Sequence, residues 1–155
     1  LDDYETSLVA QRRLEALYEA EHGPRPAMPK NIHHTIYKDY YVNNDGSTDP
    51  NQHYFIRLAW DKVKEANSYI VYEYDVRNDK YIRCAGTTTD MGLSIDVGTL
   101  MTYTTYFENG VQKSKYEYRA ATQNYLILAV NDNGYSKYDA ADVYTVTIVP
   151  DGMTP

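Results

Sequence analysis

A chain of 155 residues, 43% of them hydrophobic, is long enough to bury one core without covalent staples. Its net charge of −7 and pI near 5.0 disfavour binding to phosphate backbones, so no nucleic-acid partner is expected. A single cysteine, Cys84, excludes an intramolecular disulfide and a cysteine-built zinc site, and no apolar run is long enough to span a bilayer.

Eighteen tyrosines stand against two phenylalanines and one tryptophan. Tyrosine suits half-buried sheet surfaces, where the ring packs and the hydroxyl stays wet, and it suits contact surfaces. No leader peptide is visible. Leu1 in place of an initiator methionine implies an upstream segment, and any membrane attachment would have to come from there.

Residues 2–22 predict a helix. Tyr4, Leu8, Ala10, Leu14, Leu17 and Tyr18 fall on one half of a 3.6-residue wheel, with Glu5, Arg12, Arg13 and Glu19 opposite. Asp2 or Asp3 can cap its start, and Gly23-Pro24 ends it. A lone helix of this length is marginal, so its apolar stripe needs the β domain, another chain or an upstream helix. Residues 23–29 hold three prolines and read as a stiff linker, which closes a first unit at residues 1–30.

A β unit is expected over residues 31–150, with a tail at 151–155. Residues 32–42 give its first strand. The polar stretch NNDGSTDPNQ, residues 43–52, reads as a long solvated loop. Gly46 falls at the sixth place of a calcium-type loop, but Tyr41 and Gln52 occupy the first and twelfth ligand places, where carboxylates are needed. No metal or other cofactor is expected.

The organising stretch is LAWDKVKEANSYIVYEY, residues 58–74. Leu58, Trp60 and Val63 lead into a polar turn, and Tyr69, Val71 and Tyr74 follow, which predicts strand, turn, strand with Trp60 and Val71 facing one interior. Further strands are expected at 80–85 (carrying Cys84 as a small buried apolar residue), 91–97, 124–131 and 143–149. Between them, Asn109-Gly110 separates two aromatic, threonine-rich runs. Both central residues of a type I′ turn need positive φ, so residues 101–119 predict a β-hairpin.

The spacing Leu58-x-Trp60, Val63, Ala66, Tyr69-x-Val71-Tyr72, then Tyr125-x-Ile127-x-Ala129-Val130-Asn131, Gly134 and Ser136, resembles fibronectin type III domains. It is most similar to those attached to secreted bacterial proteins. The resemblance implies an all-β, seven-stranded antiparallel Greek-key sandwich, here with an extra hairpin and an N-terminal α-helix. Two departures stand out. Gln123 occupies the place of the family's corner tyrosine, and the 101–119 hairpin replaces a short E–F loop. Residues 1–30 lie outside the resemblance.

Chemistry is sparse. His33 and His34 are adjacent and point to opposite faces of a strand; His22 and His53 have no partner at i+2 or i+4. Asp45, Asp49, Asp132 and Asp139 fall in expected loops, where solvation explains them. No GxSxG, glycine-rich phosphate loop, RGD or N-x-S/T sequon occurs, so no enzyme is expected. The expected function is a non-catalytic spacer or protein-interaction and adhesion module, extracellular or at the cell surface of a bacterium. Its partner would be a neighbouring domain, a protein or a polysaccharide. One alternative is a carbohydrate-binding module with exposed tyrosine platforms; another is a pilin-like filament subunit whose membrane helix lies upstream. In the resembled fold the A–B and E–F connections share a pole, which makes Tyr103, Tyr106, Tyr116 and Tyr118 of the hairpin the candidate binding residues.

Overall fold

The computed structural model describes residues 3–78 and 80–152, and only the backbone of residues 3–8. Alternating apolar and polar residues set its strands in two packed sheets. One sheet has the order β1 (His33–Val42), β2 (Thr48–Ala59), β5 (Gly92–Gly98). The other has β10 (Tyr144–Ile148), β8 (Ala121–Asn131), β3 (Ser68–Asp75), β4 (Lys80–Thr88), with the two-residue β9 (Gly134–Tyr135) pairing β8. All pairings are antiparallel. This is a fibronectin type III-like sandwich, with β1, β2 and β5 as one face of the core and β3, β4, β8 and β10 as the other.

The core forms where the inward residues meet: Ile56 and Leu58 from β2, Tyr69 and Val71 from β3, Ile95 from β5, Tyr125, Ile127 and Ala129 from β8, Val146 and Ile148 from β10. Trp60, just past the end of β2, is 3% exposed within it and meets Tyr69 edge to face at 5.4 Å. Tyr69 in turn fixes the β2–β3 turn, because its hydroxyl accepts a hydrogen bond from the Val63 amide at 2.9 Å.

β8 is apolar on both faces because both are covered. Its outward Leu126 and Leu128 join Tyr74 in a second buried cluster, packed by Met28, Tyr72 and Val143. Met28 belongs to the proline segment, which is strapped to the sandwich. The Pro24 carbonyl accepts from Asn133 at 3.2 Å, the Ala27 carbonyl accepts from the buried Ser136 hydroxyl at 3.0 Å, and Pro26 and Pro29 are buried.

Two expectations are corrected. The long loop at 43–52 shrinks to residues 43–47, tied by the Asn43 amide to the Ser47 carbonyl at 2.7 Å and by Asp45 accepting from the Ser47 amide at 2.9 Å. Residues 48–52 continue β2 alongside β1, with Val42 opposite Thr48 and Tyr40 opposite Gln52. Pro50 is tolerated because β2 there has outrun β5, which ends opposite Tyr54, so that edge has no ladder to lose. Cys84 is exposed rather than buried, because it lies on the edge strand β4.

The helix forms as expected, as α1 (Asp3–His22). Leu14, Leu17 and Tyr18 are exposed, and Tyr4 and Leu8 fall outside the described side chains. Among the described residues, the helix stripe meets no part of its own sandwich. The helix reaches the body through Glu19, which pairs Lys137 at 2.8 Å and Arg25 at 3.7 Å.

Candidate functional site

The two elaborations of the sandwich, the β1–β2 hairpin and the insertion between β5 and β8, come together at one pole. The insertion is β6 (Met101–Glu108) and β7 (Val111–Tyr118), a two-stranded sheet that pairs with neither large sheet. Its turn has Asn109 at φ 53° and Gly110 at φ 77°, the left-handed pair that a two-residue hairpin turn demands. At its foot the Arg119 amide donates to the Leu100 carbonyl at 2.9 Å, and Leu100 packs against the main core.

The turn fixes the register, with Glu108 opposite Val111 and Tyr103 opposite Tyr116. Alternation then sorts the side chains. One face carries Met101, Tyr103, Phe107, Tyr116 and Tyr118. The reverse carries Tyr106 with Glu108, Lys113, Lys115 and Glu117. On the reverse face charges close on one another: Lys113 with Glu108 at 3.4 Å, Lys115 with Glu117 at 2.9 Å, and Lys115 over the Tyr106 ring at 5.5 Å.

The front face has no such cover. Tyr103 is 58%, Phe107 74%, Tyr116 60% and Tyr118 48% exposed. An isolated two-stranded ribbon is marginal. Here the Asn109-Gly110 turn and the Arg119–Leu100 hydrogen bond at its foot hold it while its aromatic side stays open.

Three of the four candidate tyrosines therefore share a surface, and Tyr106 lies behind it. Phe107 and Met101 belong to that surface and were missed. Counting outward from the Asn109-Gly110 turn would have found both, since residues paired across a two-residue turn share a face. At the base, Met101 and Tyr118 line a cleft of about 160 Å³ with Lys38, Asn51, Gln52, Tyr54, Thr99 and Asp151. Asp151, beyond β10, is stapled there, with Lys38 paired to its carboxylate and its amide donating to the Tyr54 hydroxyl at 2.9 Å.

The same pole holds a clamp. His53 on β2 contacts Asp49 through Nε2 at 2.8 Å and Asp96 of β5 through Nδ1 at 2.9 Å, and Tyr41 stacks on its ring at 5.3 Å. Asp39 is its cross-strand neighbour on β1. A neutral imidazole carries one N–H, so only the imidazolium donates to both carboxylates. Burial of the ring pulls its pKa down as the largest single influence, but hydrogen bonds and charge from Asp96 and Asp49 together outweigh it, and the pKa is raised. The partner that the sequence reading denied His53 lies at i−4. With 43–52 taken as loop, the shared strand face of Asp49 and His53 was invisible.

A raised folded pKa stabilises the protein fully below the unfolded value, about 6.5, and that contribution is lost as pH rises through the folded pKa. Stability measured by urea unfolding should therefore fall across this window in the native chain, and the His53→Gln variant should lack that component. Identical pH profiles for the two would refute the clamp.

No protein-family model matches the sequence, and no curated protein does. Among solved structures the chain is similar to FN3tt, with a TM-score of 0.48 and 16% identity over 80% of this chain and 95% of that one. A mutant of FN3tt aligns with a TM-score of 0.42 and 17% identity over 81% of this chain and 96% of that one. The glycoside hydrolase domain structure of Endo-D from Streptococcus pneumoniae R6 aligns with a TM-score of 0.44 and 18% identity, over 82% of this chain and 15% of that one.

Proposed function

We propose that this protein is a non-catalytic extracellular interaction module that grips a protein partner, or a neighbouring domain, through the aromatic face of the β6–β7 hairpin. The observation that carries this reading is the two-sidedness of the hairpin. It pairs with neither sheet, turns a self-neutralised charged face one way, and leaves Tyr103, Phe107, Tyr116 and Tyr118 open on the other. Tyrosine and phenylalanine offer large contact area with few rotatable bonds, which is what the centre of a protein interface uses. The rings of Tyr103 and Tyr116 meet at 57°, so they do not form the flat platform on which a sugar chain would stack.

The test compares two double variants for saturable binding to the surface and secreted proteins of the organism that makes this chain. Phe107→Ala with Tyr116→Ala should weaken binding by about 30-fold or more, the loss of a hot-spot pair, with the melting temperature unchanged. Lys113→Ala with Glu117→Ala on the reverse face should bind like the native chain. Equal affinity of both variants would overturn the proposal.

A further inference from the structure

A second, chemically different surface opens beside the His53 clamp. Where the ends of the two sheets part, Tyr41, Glu73, Arg83, Asp96, Val97, Gly98 and Gln123 line an open cleft of about 630 Å³. That volume lies within the range of small-molecule sites, roughly 300–1,000 Å³. Its walls come from β1, β3, β4, β5 and β8, so both sheets fix its shape.

The charges in it are already spent. Arg83 grips both oxygens of Glu73, at 2.7 and 2.8 Å, and Asp96 accepts from His53 and from the Gly98 amide at 2.8 Å. A phosphate or carboxylate ligand would meet no uncommitted cation lining this cleft, in a chain of net charge −7. A cationic ligand would have to break an existing pair. What the cleft does offer is neutral hydrogen bonding and one aromatic wall. The Gln123 side-chain amide makes no hydrogen bond to any described residue. Tyr125, the next residue of β8 on that face and the register partner of Glu73, has a buried hydroxyl with no hydrogen-bond partner among the described residues. Tyr41 is held from behind by its stack on His53, and its ring remains exposed.

We propose that this cleft is a binding site for a neutral oligosaccharide, with Tyr41 as the stacking wall and Gln123 as the hydrogen-bonding group that reads its hydroxyls. A sugar ring presents weakly positive C–H bonds on one face, which match the negative face of an aromatic ring. Its edge hydroxyls both donate and accept, as the amide of Gln123 and the paired Glu73 and Arg83 require. Gln123 stands where the resembled fold has a corner tyrosine, so an amide left without a structural bond replaces a residue whose hydroxyl would be committed to the backbone. This site is separate from the hairpin face, and either assignment can fail alone.

The test is titration of the isotope-labelled whole chain with cellotetraose, maltotetraose, xylotetraose, mannotetraose and chitotetraose, followed by amide NMR. At least one should give saturable shifts centred on Tyr41, Val97, Gly98 and Gln123. Tyr41→Ala should weaken that binding by about tenfold or more. Gln123→Leu, which keeps the volume and removes the amide, should weaken it too, and the hairpin pair Phe107→Ala with Tyr116→Ala should leave it unchanged. No saturable shift with any of the five sugars would overturn the proposal, as would shifts centred on the hairpin or native affinity in both cleft variants.

Discussion

Trp60→Ala is expected to destabilise the protein by roughly 3–5 kcal/mol, a large share of the ~5–15 kcal/mol that holds a domain folded. The indole fills the centre of the main core at the end of β2, where it meets Tyr69 and where its own backbone amide bonds the Met91 carbonyl at 3.1 Å. Truncation removes the ring from the junction of both sheets and leaves a cavity that surrounding strands are too constrained to close. Trp60→Phe should cost less for a specific reason. The indole N–H is buried with no hydrogen-bond partner among the described residues, so the variant loses packing but also sheds an unsatisfied donor. Urea unfolding measures both changes. As the chain's single tryptophan, Trp60 also reports its own burial: acrylamide should quench its fluorescence weakly in the native protein. Strong quenching, or a loss below ~1 kcal/mol in Trp60→Ala, would contradict its placement.

A pair of truncations should behave very differently although their endpoints are close. Removing residues 1–23 deletes the helix and, among the described residues, breaks the partly exposed Glu19 ion pairs, contacts worth on the order of 1 kcal/mol, so the melting temperature should barely move. Removing residues 1–30 also strips Met28 from the cluster of Leu126, Leu128 and Tyr74, and removes the buried Pro26 and Pro29. Leu126 and Leu128, now fully buried, would lose part of their cover while Tyr72, Tyr74 and Val143 stay in place, and the Ser136 hydroxyl would lose its bond to the Ala27 carbonyl. Lost burial of Met28 and partial exposure of the two leucines, with the lost hydrogen bond, put the loss at roughly 2–4 kcal/mol. Equal melting temperatures for the two truncations would show that the proline segment does not cover the sheet. A change in solution mass on removing residues 1–23 would show that the exposed helix stripe pairs with another chain.

The sandwich was readable in the sequence because its strands carry their burial in their pattern. Ile56 and Leu58 alternate with exposed Arg57, and the apolar run of β8 marked it as a strand. The hairpin was readable because Asn109-Gly110 is a local signal that needs no tertiary context. What escaped was set by partners distant in sequence. Nothing in Gly-Pro-Arg-Pro-Ala-Met-Pro shows that it covers Leu126 and Leu128, since prolines carry no periodicity to mark a buried side. Cys84 looked buried on a generic preference, and only the strand order reveals β4 as an edge. Residues 48–52 are polar because β2 runs past its neighbour into solvent, so the strand there lost the hydrophobic alternation that would have identified it. The His53 clamp was lost with it.

The most direct measurement of whether the hairpin is the contact surface is photo-crosslinking resolved by face. A photoreactive side chain is placed singly at Phe107 or Tyr116 on the aromatic side and at Lys113 or Glu117 on the charged side, and each variant is irradiated on the cells that produce the protein. Adducts to one defined protein from positions 107 and 116, with none from 113 and 117, are the expected result. Equal labelling from both faces, or no adduct from the aromatic face, would contradict it.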